Sequence, residues 1–125
     1  YRDFAFLGPE SETAALAAQC AGEQSKYWAF HDRLFEIEIA DGAENNGNLS
    51  ASLMKSLAKE LSLNQGQFNV CLDLGKYKSE IEKDYNDGVA AGVAGTPATF
   101  VNSKLVEGAQ PYSVFKDLIE AILNK

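Results

Sequence analysis

The residues able to do chemistry in this chain are few, and their spacing decides what they can do. Cys20 and Cys71 are the only cysteines. A redox CxxC places two cysteines on one helix N-terminus, where a thiolate is stabilised. No CxxC occurs here, and the spacing of Cys20 and Cys71 does not match a zinc site with paired ligands either. The residues alone leave three readings for the two thiols: free buried core residues, a structural disulfide in an oxidising compartment, or a redox couple in their own right. His31 is the single histidine, and with no cysteine or histidine beside it it has no companions for a metal site. Between Phe30 and Asp32 it reads as a hydrogen-bonded boundary residue. Gly95-Thr96-Pro97 is the third feature. Proline cannot donate to a sheet ladder, so it belongs at a strand start or edge. An X-Pro bond there is a candidate cis peptide, although a trans strand-entry proline is the commoner arrangement. Gly88, Gly92 and Gly95 lack the strand-then-helix setting of a phosphate-binding loop.

Helices and a hairpin must position these residues. Tyr1 to Leu7 alternates Phe4 and Phe6 with Asp3 and Ala5, a strand pattern. Gly8-Pro9 breaks it, and Ser11 is an N-cap candidate for an alanine-rich helix with Glu10 and Glu12 in its first turn. Ala14, Ala15, Ala17, Ala18 and Ala21 give that helix a small-residue face, and Gly22 ends or bends it. Glu23 to about Ile39 reads as a second helix. Its stripe is Tyr27, Phe30, Leu34 and Ile37, with Trp28 and Phe35 widening the core face. Glu10, Glu12 and Glu23 read as helix-start and solvent-face charges. Asp41 to Asn48 is a polar, turn-rich loop. Leu49, Leu53, Leu57 and Leu61 recur every fourth residue, and Asn64 with Gln67 is in capping-box register for the helix carrying Phe68, Cys71 and Leu72. After Gly75, the stripe Tyr77, Ile81, Tyr85 and Val89 marks a further helix. Ala98 to Val101 and Lys104 to Glu107, joined by Asn102-Ser103, read as an antiparallel hairpin. Pro111 opens the last helix at its first helical position, with Val114, Phe115, Leu118, Ile119, Ile122 and Leu123 as its apolar stripe.

At 125 residues the chain is expected to form one domain with a real core. Its 11 Lys and Arg against 18 Asp and Glu give a net charge of −7. That sign argues against a nucleic-acid backbone, which needs a basic face, and against docking on anionic lipid. The acidity reads as a solubility device. No apolar run approaches the roughly 20 residues needed to span a bilayer. No signal peptide is visible, and the chain opens Tyr1-Arg2-Asp3 without an initiator methionine, directly inside an expected strand.

The run Gly92-Val93-Ala94-Gly95-Thr96-Pro97-Ala98-Thr99-Phe100-Val101-Asn102-Ser103 resembles a segment of the DsbA-like thioredoxin-fold proteins. The likeness extends through Tyr1-Arg2-Asp3-Phe4, Ala14 to Ala21, Glu23 to Trp28, Phe30 to Phe35 and Glu107 to Tyr112. It implies an α/β thioredoxin-like fold with a helical block inserted at about 10–75, and the thioredoxin part at about 1–7 and 76–125. The first strand and the CxxC helix are expected upstream of Tyr1, so the chain reads as N-terminally truncated. The resemblance also implies a cis Pro97, with Thr96 and Pro97 binding substrate peptide by strand addition. For an extracytoplasmic family, Cys20 and Cys71 are expected to form a structural disulfide, worth roughly 4 kcal/mol on the chain-entropy model.

The implied activity is thiol–disulfide exchange with cysteine-containing proteins or peptides in the periplasm or cell envelope. It requires no metal and no dissociable cofactor, and a membrane redox partner would reoxidise the longer protein. Without CxxC the chain as given is expected to be inactive. The alternative is a catalytically silent thioredoxin-like peptide-binding module. A fragment of this fold is also expected to self-associate or swap elements, because its sheet would keep an uncovered edge and face.

Overall fold

The computed structural model describes residues 1–125. The elements run α1 (Pro9–Gly22), α2 (Tyr27–Asp41), α3 (Ala51–Glu60), α4 (Gln65–Asp73), α5 (Lys78–Ala90), β1 (Ala98–Val101), β2 (Lys104–Glu107) and α6 (Tyr112–Leu123). The chain divides into two compact units, Tyr1–Tyr85 and Asn86–Lys125.

The first unit is a helical body around one core. Ala17, Ala18, Cys20 and Ala21 of α1 cluster with Phe30 and Leu34 of α2, Met54, Leu57 and Ala58 of α3, and Phe68, Cys71 and Leu72 of α4. The alanine face of α1 lets neighbouring helices come close, and the large side chains of α2 to α4 fill the space it leaves. The rings of Phe30 and Phe68, both fully buried, lie 5.6 Å apart at the centre.

Several local signals act differently from the sequence expectation. The N-cap of α1 is Gly8, not Ser11, with Pro9 in the first turn. Gly8 has φ 103°, which glycine adopts readily, and a Cβ there would run into the Asn45 side chain. The second helix starts at Tyr27, not Glu23. Ser25 has φ 61° and interrupts the right-handed path between the two helices. Trp28 and Phe35, expected in the core, are 56% and 55% exposed. A helix turns about 100° per residue, so both point off the stripe that Phe30 and Leu34 bury. Leu61 is the C-cap of α3 yet packs against the core with Leu53 and Leu57, while the Ser50 side chain caps the helix start by accepting from the Leu53 amide at 3.1 Å. Asn64 caps α4 by accepting from the Gln67 amide at 2.9 Å, but the Gln67 side chain turns to Glu23 instead of closing a capping box. Of the expected α5 stripe, Ile81 is buried, Tyr85 and Val89 are exposed, and Tyr77 precedes the helix.

Tyr1 to Leu7 forms no strand, contrary to its alternation. A strand exists only where a neighbour completes its ladder, and the sheet here has two strands, β1 and β2. Side chains anchor the segment instead. Arg2 pairs with Asp84 at 2.6 Å, Gln19 donates to Asp3 at 2.9 Å, and the Phe4 and Tyr85 rings stack at 4.8 Å.

The second unit holds the hairpin and α6. β1 and β2 pair antiparallel, Ala98 opposite Glu107 and Val101 opposite Lys104. The expected Asn102-Ser103 turn is present, with Asn102 at φ 54°, a conformation asparagine tolerates better than most residues. Pro111 is the N-cap of α6, one position before the expected one. The apolar stripe of α6 forms as read, yet none of its side chains is buried.

Candidate functional site

Thr96 and Pro97 stand at the head of β1, and both are exposed. A turn delivers them there. The Val93 amide donates to the Gly88 carbonyl at 2.9 Å, and Gly92 takes φ 90°. The Thr96–Pro97 peptide bond is cis. Pro97 has no amide hydrogen to place in the ladder, but its carbonyl accepts from the Gly108 amide at 2.8 Å. This bond extends the β1–β2 pairing beyond Ala98 and Glu107 and holds Pro97 against the end of β2. β1 has β2 on one edge and no strand on the other. Backbone groups along such an edge are what an added peptide strand pairs with.

Cys20 and Cys71 form a disulfide, with Cα atoms 5.8 Å apart. It fastens α1 to α4, and its two residues are 1% and 4% exposed. Free thiols are therefore excluded. A catalytic redox couple needs an accessible sulfur, and this bridge lies inside the core cluster. The structure thus brings the two cysteines together in the first unit, while Thr96 and Pro97 belong to the second.

Glu23 departs most from the sequence expectation. It is no solvent-face charge, since its side chain is 14% exposed and lies at the C-cap of α1. Its carboxylate takes the Lys76 ammonium at 2.5 Å, the Tyr77 hydroxyl at 2.9 Å and the Gln67 side-chain amide at 3.2 Å. Oε1 is also 3.7 Å from Cys71 Sγ. A disulfide sulfur carries no hydrogen, so this last approach is a contact and not a hydrogen bond. The hydrogen bonds from Lys76, then Gln67 and Tyr77, hold the Glu23 carboxyl down to about 2. Nothing in the sequence marked the cluster, because its members come from separate stretches of chain. The Tyr77 hydroxyl is raised, first by burial and then by its bond to Glu23.

His31 sits among aromatic rings. Tyr1, Trp28 and Phe35 lie within 5.1 Å, 5.1 Å and 4.7 Å of it, centre to centre. Its Nδ1 is 3.0 Å from Asp32, the boundary role expected of it. Tyr27, stacked at 6.2 Å, has its hydroxyl pushed up by burial and then by the negative charge of Asp3. No group of three or more His, Cys, Asp or Glu side chains is arranged to hold a metal ion. No helix is long and apolar enough to cross a membrane.

The family model described as "Thioredoxin" matches residues 1–121. "Disulfide bond formation protein D" of Bacillus subtilis is 28% identical over 122 residues, covering 95% of this chain and 54% of that protein. "Na(+)/H(+) antiporter NhaA 1" of Salinispora arenicola is 29% identical over 101 residues, covering 81% of this chain and 14% of that protein. "Na(+)/H(+) antiporter NhaA 3" of Salinispora tropica is 30% identical over 106 residues, covering 85% and 15%. The chain thus spans about half of the first relative and a small part of the other two. No solved structure matches. The helical block ahead of a terminal hairpin and helix, the Gly92–Ser103 run and a match over residues 1–121 agree, and the chain belongs to the thioredoxin family, among its DsbA-like members.

Proposed function

We propose that this chain is the substrate-facing part of a DsbA-type thiol–disulfide oxidoreductase, one that exchanges disulfides with cysteines of extracytoplasmic proteins. The observation that carries the reading is the exposed Thr96–Pro97 pair at the head of β1 in a chain of this family. Thr96 and Pro97 hold an extended substrate peptide by backbone pairing along β1. In the exchange, a thiolate attacks a disulfide sulfur, a mixed disulfide forms, and the other sulfur leaves with the electron pair. The nucleophile belongs to a CxxC that is not among these residues, so the chain alone is silent. Electrons pass between sulfur atoms, and no metal or dissociable cofactor enters. A membrane redox partner returns the longer protein to its starting state. The Cys20–Cys71 bridge supports an extracytoplasmic setting, where disulfides persist.

A second reading is a catalytically silent module that only binds peptides. It is favoured by relatives named as antiporters, of which the chain matches 14% and 15%. Titration of isotopically labelled protein with an extended peptide, its cysteine replaced by serine, tests the surface both readings share. Amide shifts are expected at Thr96, Ala98 and Thr99, and an unchanged spectrum there overturns both. Oxidation of a dithiol peptide should proceed at the uncatalysed rate, and acceleration by this chain would refute its silence. Reading the gene upstream of Tyr1 separates the two: a CxxC selects the oxidoreductase, and its absence selects the module.

A further inference from the structure

We propose that Glu23 insulates the Cys20–Cys71 bridge against thiol exchange, by placing a carboxylate beside the Cys71 sulfur. The inference goes beyond the peptide-binding role of Thr96 and Pro97 and draws only its purpose from it. A protein that works among thiolates and mixed disulfides exposes any second disulfide of its own to the same chemistry.

The geometry acts on both routes of attack. If an external thiolate bonds to Cys20 Sγ, the S–S bond breaks and Cys71 leaves as a thiolate with the electron pair. That charge would form 3.7 Å from the Glu23 carboxylate. If the thiolate bonds to Cys71 Sγ instead, the incoming negative charge meets the same carboxylate. Cys20 must then leave as a thiolate at a site 1% exposed, inside the apolar core cluster. Either leaving sulfur takes a proton from water. A second external thiolate displaces the first, so two protein thiols and one external disulfide result. The charge of Glu23 opposes the first step on both paths. The groups that face this carboxylate are Gln67 and Cys71 from α4, and Lys76 and Tyr77 from the turn before α5. Lys76 offsets part of the charge, and Tyr77 and Gln67 fix its position. Glu23 also stays ionised at ordinary pH, since its carboxyl is held at about 2.

The test is the rate at which three small thiols reduce the folded protein: cationic cysteamine, neutral 2-mercaptoethanol and anionic 2-mercaptoethanesulfonate. Alkylation and intact mass follow the thiols released. Glu23→Gln keeps the shape of the side chain and removes its charge. Reduction is expected to quicken by about five- to tenfold, the size of one unit-charge repulsion at this separation in a water-like dielectric. The ratio of the anionic to the cationic rate is expected to rise as well. Reduction through the unfolded chain would leave that ratio equal in both proteins, and this result would overturn the proposal. Lys76→Met gives the opposite sign. Stripping Glu23 of its counter-charge should slow reduction by the anionic thiol below the wild-type rate. Faster reduction of Lys76→Met would show that loosening of the cluster, not charge, controls the bridge, and the proposal would fall. Neither variant touches Thr96 or Pro97, so failure here leaves the peptide-binding reading standing.

Discussion

The two units of this chain spend their apolar residues in opposite ways. In Tyr1–Tyr85 they close a core, with Phe30, Met54 and Phe68 fully buried and a disulfide inside the cluster. In Asn86–Lys125 one residue, Val106, is buried, while Phe100, Val114, Ile119 and Leu123 are exposed. The pattern of α6 is as regular as that of any helix in the first unit, yet none of its side chains is fully buried. Amphipathic periodicity therefore tells where a helix could pack, not that it has packed. Stability comes chiefly from the first unit. The second presents backbone and exposed side chains, as the proposed peptide-binding surface requires.

Substitutions in the two units should break this contrast open if it is wrong. The largest effect is expected for Phe68→Ala, which empties a fully buried site and should cost about 3–5 kcal/mol in urea unfolding. Phe115→Ala, on the half-buried side of α6, should cost about 1 kcal/mol. Equal costs would mean that the two units are equally packed. Next comes replacement of Cys20 and Cys71 together by alanine. The bridge spans 51 residues, and losing it should lower stability by about 2–4 kcal/mol. The unfolding midpoint checks this, and an unchanged midpoint would mean that α1 and α4 hold without the bond. The smallest effect is acid-linked. Glu23 titrates near 4.5 in its ordinary state and at about 2 when folded. Between these values the unfolded chain binds the extra proton, so stability falls as pH falls. The contribution of Glu23 is complete above 4.5 and is lost as pH drops through about 2. Unfolding midpoints across that window should drop more steeply for wild type than for Glu23→Gln, and parallel curves would remove the linkage.

How much was legible in the sequence varied with the range of the interaction. The hairpin was readable because its signals are local: short apolar runs around Asn102-Ser103, with Pro97 at the strand start. The cap at Asn64 was readable for the same reason. Pairing of Cys20 with Cys71 followed from the family resemblance, since no spacing rule joins residues so far apart. Trp28 and Phe35 misled because an apolar side chain next to a buried stripe need not be on it. Tyr1 to Leu7 misled because alternation describes a strand's faces and says nothing of its neighbour.

The sequence by itself determined the helical periodicities, the turn and cap positions set by Asn64, Gly92 and Asn102, and the absence of a CxxC. These depend on residues within a few positions of one another. Only the tertiary structure decided that Glu23, Gln67, Cys71, Lys76 and Tyr77 meet, and that Glu23 stands over the bridge. Such a cluster forms when α1 and α4 pack, because charges from distant stretches of chain become neighbours only after the apolar faces between them have closed.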